Sequence, residues 1–198
     1  PDQLIARIAA DSKYWLWIND QLVVFEGGLK RGPSPSGTYY DPVDIAPYLT
    51  KGSNTIAILL WHFGKDGFSH INSGKAALLF EAIAPGLEIV SDASWQCALY
   101  EAYQNTDAPF PNYRMPESNI RFDARQAITN WNRTSFEGSL PGAVCVGKAG
   151  KAPFGELVER PIPQWKNSGL LSYVSVRESL KGDTLFCRLP YNTQITPY

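Results

Sequence analysis

His62 and His70 lie eight residues apart with Asp66 between them. Imidazole and carboxylate both ligate zinc, but a zinc site needs about three or four converging ligands. This loop offers too thin a set, and the two histidines read as ordinary surface or edge residues. Calcium at Asp66 or Asp44 would call for about six to eight oxygens, which spacing alone does not provide. Nucleophilic catalysis has no better footing. No Gly-x-Ser-x-Gly elbow is present, and no motif positions a histidine to activate a serine or cysteine. Gly27-Gly28 and Gly32 follow a predicted strand without the Gly-Lys-Ser/Thr ending or helix of a phosphate loop. An inverting glycosidase sets its acid and base about 6.5–9.5 Å apart. Here the acidic residues are dispersed, most of them beside turns, where they cap or solvate.

Aromatic residues give the strongest signal. Trp15, Trp17, Trp61, Phe63 and Phe68 crowd around two polar loops. Flat rings beside Asp, Asn and Lys suit a sugar, which stacks its C–H face on the ring while polar groups take its hydroxyls. Trp61, His62, Asp66, Phe68 and His70 are therefore the candidate carbohydrate-binding set. Trp15 and Trp17 read as filling of the core; Phe68 and His70, out on the loop, fit ligand contact and packing equally. Arg121, Asp123 and Arg125 alternate charge with apolar residues. They read as an ion-pair ladder on one strand face, structural or at a domain interface.

The elements that would hold these residues are strands. Runs 14–18 and 22–25 are aromatic and β-branched and flank Asn19-Asp20, two residues suited to a tight primed turn. In the first run Tyr14, Leu16 and Ile18 share one face, and Trp15 and Trp17 the other. Further strands are predicted over 3–9, 55–63, 75–84, 87–90 and 143–146, with a helical turn at 46–49 that accepts Pro47 early. Trp95 should anchor a packed turn. Thr134 and Glu137 have capping-box spacing for a short helical turn. Residues 27–38, 64–74 and 104–118 are loops, the last holding Pro109, Pro111 and Pro116. Short strands between Gly/Pro turns, with no helix long enough for a crossover, predict an all-β antiparallel sandwich of jelly-roll, galactose-binding-domain-like type. It should span residues 1–157. A proline-held linker follows over 158–169, and a hairpin of 172–179 with 184–189 begins a second, truncated β-sandwich over 170–198.

With 198 residues, 44% of them apolar, the chain can build a core without staples. Its 18 basic and 19 acidic residues give a net charge of −1, which argues against a broad footprint for nucleic acid or anionic lipid. Apolar runs stop well short of a membrane span. Cys97, Cys145 and Cys187 are widely spaced and odd in number, and read as free or buried thiols. The chain opens on Pro1 without an initiator Met, and both ends read as cut from a longer polypeptide, so compartment is not read from a missing signal.

Several of these stretches, in this order, resemble the N-terminal β-sandwich region of bacterial α-L-rhamnosidases, large multidomain glycoside hydrolases. YWLWINDQLVVFEGG is similar to the family's strand–Asn-Gly–strand opening, with Asp20 where Gly is usual. DIAPYLTKGSNTI, from Asp44 to Ile56, resembles its D-V-T-x-L-L-x-x-G-x-N-x-I segment. Ser91 to Trp95 is similar to T-D-x-S-W, and Phe122-Asp123-Ala124-Arg125 to Y-D-A-R; Arg160-Pro161-Ile162-Pro163 resembles the junction before the next sandwich. The resemblance implies an accessory piece of an inverting enzyme whose carboxylate pair sits in a downstream (α/α)6 barrel of the same polypeptide. It also implies rhamnose-containing glycans as partners and a bacterial periplasmic or extracellular setting. Some relatives bind rhamnose with calcium near a Gly-Trp element; this chain reads Trp61-His62-Phe63-Gly64 there, and no cofactor is expected, with calcium left open. A carbohydrate-binding module and a protein-interaction sandwich are the alternatives.

Overall fold

The computed structural model describes residues 2–28, 34–67, 70–105, 120–169, 175–179 and 185–188, the last two segments and residue 105 by backbone alone. Alternation decides the layout. Strand β2 (Lys13–Ile18) buries Tyr14, Leu16 and Ile18 completely and turns Lys13, Trp15 and Trp17 to its other face. β2 pairs antiparallel with β3 (Gln21–Gly28) through Asn19 and Asp20, whose φ angles of 46° and 70° are those of the primed hairpin turn their types favour. On its other side β2 pairs antiparallel with β5 (Ile56–Trp61), giving a three-stranded sheet in the order β3-β2-β5.

The second sheet has five strands in the order β10-β4-β1-β6-β7. Its members are β1 (Ile5–Asp11), β4 (Thr38–Asp44), β6 (Ala77–Ala84), β7 (Leu87–Val90) and β10 (Leu157–Glu159). All of its pairings are antiparallel except β10 with β4. Ala6, Ile8 and Ala10 of β1, Val43, Ile45, Phe80 and Ala82 meet Tyr14, Leu16, Ile18 and Val24 from the other sheet in one core. Each fully buried Leu, Ile or Phe in it is worth about 1.5–3 kcal/mol. This two-layer arrangement is the expected β-sandwich.

Close approach makes two glycines necessary. A Cβ on Gly27 would lie 2.3 Å from the Tyr14 ring, and one on Gly155 would lie 1.8 Å from the Ser36 carbonyl, at a φ of +67°.

Local motifs hold the sandwich's ends. The Asp44 carboxylate accepts from the backbone of Leu4 and Ala46, 3.1 Å each, starting a one-turn 3-10 helix, Ala46–Tyr48, that carries Pro47. Asn54 ties Thr50 and Gly52, and Asn19 bonds Asn54 (2.7 Å) and the Tyr48 carbonyl (2.9 Å). Trp95 donates its indole N–H to the Val90 carbonyl at 2.8 Å and packs on Phe80, as an anchor should.

Some expectations are corrected. Trp15 and Trp17 are not in the core: with a two-residue period only one face of β2 faces the other sheet, and the even-numbered residues took it. No strand forms at 143–146; Gly142 makes a single bridge to Gln96, and Val144 and Val146 are exposed. Thr134 starts no helical turn; its N–H and hydroxyl bind the Asp20 carboxylate at the β2–β3 hairpin tip, at 2.6 and 3.1 Å. The extended stretch expected as linker begins inside the sandwich, because Val158 and Glu159 pair with Tyr39 and Tyr40. A compact unit runs from Pro1 to Trp165, and a second from Lys166 to Tyr198. In the latter, β11 (Ser175–Ser179) and β12 (Leu185–Arg188) form a bulged antiparallel pair. The stretch around Pro109, Pro111 and Pro116, and the turn at Lys181-Gly182-Asp183, lie outside the described residues. A short pair, β8 (Tyr103–Asn105) with β9 (Ile120–Phe122), completes the described strands.

Candidate functional site

Four chain segments meet at Asp11, the last residue of β1. Its side chain is wholly buried, as is that of Ser12 at the corner leading into β2. The Ser12 hydroxyl donates to Asp11 Oδ1 at 2.6 Å and accepts from the Phe63 N–H at 3.0 Å. The Ser73 N–H donates to Asp11 Oδ2 at 2.6 Å, so the loop after β5 is wound onto this carboxylate. His70, only 3% exposed, brings Nε2 to 3.1 Å from Asp11 Oδ1 and 3.2 Å from Ser12 Oγ. His62 places Nδ1 3.6 Å from the same Oδ1. Burial pushes the Asp11 carboxyl up, but hydrogen bonds from His70, Ser12 and Ser73 outweigh it and hold it well below the usual carboxylate range.

Serine, histidine and aspartate within hydrogen-bond reach invite comparison with a catalytic triad, and the geometry rejects it. In a triad the imidazole stands between its partners, one nitrogen on each. Here serine and aspartate share Nε2, and His70 Nδ1 is buried without a partner. An ionised carboxylate only accepts, so Nε2 carries the proton and has no lone pair with which to activate Ser12. The serine proton already points at Asp11. Ser12 in this arrangement joins two strands and a loop.

Of the candidate sugar-binding residues, His62 and His70 converge on Asp11, His70 buried and His62 partly exposed. Asp66, exposed, accepts from the Asn72 N–H at 2.7 Å and shapes the loop. Phe68 lies outside the described residues. Trp61 sits on the outer face of the three-stranded sheet, half-buried, its ring 6.5 Å from Trp15 and within 19° of parallel. Phe63 links it edge-on to His70, at 5.2 and 5.1 Å. The outer face continues through Trp17, which meets Trp131 edge-on at 5.2 Å, to Tyr100, Tyr103 and Phe122.

Arg121, Asp123 and Arg125 do not form a ladder, since β9 ends at Phe122. Asp123 instead caps a one-turn 3-10 helix, Ala124–Gln126, and receives Arg125 through two side-chain bonds of 2.8 and 2.7 Å. Those bonds bring its carboxyl down to about 2. Among the described residues no three His, Cys, Asp or Glu side chains are disposed to hold a metal ion. Nor is any described helix long and apolar enough to cross a membrane.

A second buried cluster was invisible in the sequence. Asp41 of β4 is completely buried and accepts from Tyr14 Oη at 2.9 Å and from the Gly28 N–H at 2.8 Å. Arg160 closes it, donating Nε to Asp41 Oδ1 and Nη2 to the Gly28 carbonyl. Burial, the Asp41 charge and its hydrogen bond push the Tyr14 hydroxyl well above its ordinary range, with Arg160 pulling the other way. No pairing rule links a tyrosine at 14, an aspartate at 41 and an arginine at 160, which topology alone brings together.

No protein-family model and no curated protein matches the chain. Solved structures do. A GH78-family rhamnosidase of Bacillus sp. GL1 superposes with a TM-score of 0.71 at 28% identity, over 89% of this chain and 18% of its own. The α-L-rhamnosidase of Dictyoglumus thermophilum superposes with a TM-score of 0.56 at 18% identity, over 88% of this chain and 19% of its own, a likeness of fold alone. Both of these similar structures are rhamnosidases, and the chain spans less than a fifth of the length of each.

Proposed function

We propose that this chain is an accessory, non-catalytic β-sandwich of an α-L-rhamnosidase, and that the groups which cleave rhamnosides lie in the remainder of the polypeptide. One observation carries the reading: nearly all of this chain matches a stretch amounting to 18% of the Bacillus sp. GL1 rhamnosidase. The chemistry on the chain supports it. The Ser12–His70–Asp11 set is spent on holding a corner, and the Asp123 carboxylate is taken up by Arg125 and a helix cap. In this reading residues 170–198 begin a second β unit, and the sandwich supports an (α/α)6 barrel further along. The test is release of p-nitrophenol from p-nitrophenyl α-L-rhamnoside. The complete polypeptide should turn it over and this chain alone should not; turnover by the chain alone overturns the proposal.

A second reading rests on the near-parallel Trp15 and Trp61 rings, which suit the C–H face of a pyranose. In it the sandwich also binds rhamnose-type sugars. Calorimetric titration with rhamnose and simple rhamnosides, with and without calcium, should give heat that W61A abolishes. No heat at millimolar sugar dismisses it.

A further inference from the structure

The main hydrophobic cluster is built from residues 4 to 95, and Phe154, though buried, lies outside it. Yet residues 154–160 are fastened to the sandwich along their whole length. The Thr38 hydroxyl donates to the Phe154 carbonyl at 2.6 Å, and the Thr38 N–H to the Glu156 carbonyl at 2.8 Å. β10 then runs parallel to β4, and the Arg160 N–H donates to the Tyr40 carbonyl at 2.9 Å. The last contact is the guanidinium, placed against the Asp41 carboxylate and 5.7 Å from the centre of the Tyr39 ring. Phe154 at the start is 2% exposed, and Gly155 lies against Ser36 so closely that no side chain fits.

We propose that residues 154–160 are a clasp, a strap that docks and releases as one piece, and that Arg160 is its latch and the positioning residue of this sandwich. Released, the strap leaves that main cluster whole. What it uncovers is the Phe154 ring and, among charged groups, Asp41 Oδ1, since Tyr14 and Gly28 both donate to Oδ2. A buried carboxylate deprived of its cation is strongly unfavourable, so this ion pair is the contact whose loss should weaken docking most. Resting on the reading above, the clasp gives whatever follows in the polypeptide a fixed point of departure from the sandwich.

Amide hydrogen exchange on the 198-residue chain, in wild type, R160M and T38V, tests this. R160M should accelerate exchange over 157–160 by about a hundredfold or more and leave β1, β2 and β6 unchanged. T38V keeps the ion pair and loses one hydrogen bond, so about tenfold is expected at the same amides. Unchanged strap exchange in both variants overturns the proposal. So does equal acceleration of strap and β1, or outright unfolding of R160M with T38V uniform along the chain, because Arg160 would then be part of a single cooperative core. The measurement is independent of rhamnoside hydrolysis, so either idea can fail with the other intact.

Discussion

Replacing Asp11 by asparagine changes a charge and almost no volume, and so isolates what the carboxylate does. Three donors face it: the Ser12 hydroxyl at 2.6 Å, the Ser73 N–H at 2.6 Å and His70 Nε2 at 3.1 Å. An amide offers one acceptor oxygen and one NH2 group. If the NH2 faces Ser73, two donors collide. If it faces Ser12 and His70, the hydroxyl must rotate and the imidazole must change tautomer. Hydrogen bonds to a charged group are worth about 1.5–3 kcal/mol each, and at least one is lost outright while the others weaken. D11N should therefore cost about 3 kcal/mol, or about 6–12 °C in Tm for a chain of this size. Urea unfolding followed by tryptophan fluorescence measures it. The pH dependence has a definite sign. The folded pKa of Asp11 lies below its unfolded value, so its stabilisation is complete above about pH 4 and fades as pH falls below that toward the folded pKa. The gap between wild type and D11N should accordingly narrow below about pH 4. A D11N chain within about 0.5 kcal/mol of wild type at pH 7 would refute the reasoning, as would a gap that widens in acid.

The other predictions concern packing and exposure. G27A puts a methyl group 2.3 Å from the Tyr14 ring and should lower stability by about 1–3 kcal/mol by overpacking; an unchanged urea midpoint would contradict it. Y14F removes one of the two donors to Asp41 Oδ2 and should cost about 1–3 kcal/mol, with more damage in combination with R160M than the two separate effects sum to. Strict additivity would mean that the cluster does not act as a unit. Cys97 and Cys145 are exposed free thiols, so a chromogenic disulfide reagent should titrate at least these two in the native chain without denaturant. Fewer than two would place one of them under cover.

The parts of this fold that could be read in advance are those set by neighbours in sequence. The hairpin around Asn19-Asp20 announced itself because both residues tolerate positive φ and both flanks alternate. The stretch from Asp44 to Asn54 was recognisable because its polar residues serve local turns, Asp44 at the 3-10 helix and Asn54 across the next loop. Alternation also separated the two faces of β2, but it did not say which would be buried: Tyr14 went inside because a buried aspartate and a glycine without Cβ make room for its hydroxyl and ring. The Asp11 and Asp41 clusters join positions 62 and 119 residues apart, and no local preference reports such a meeting. The same limit misplaced Arg160, whose flanking prolines signal extended chain but not what that chain lies against. His70 read as a loop residue that fitted ligand contact and packing equally, because its burial depends on how the loop winds onto Asp11.

The claim that the Ser12–His70–Asp11 set is architecture and that rhamnoside cleavage resides elsewhere is tested most directly by turnover at high protein concentration. With p-nitrophenyl α-L-rhamnoside, wild type, S12A and H70A forms of this chain should all release nitrophenol at the rate of buffer alone. Hydrolysis by wild type that S12A and H70A abolish would contradict the account.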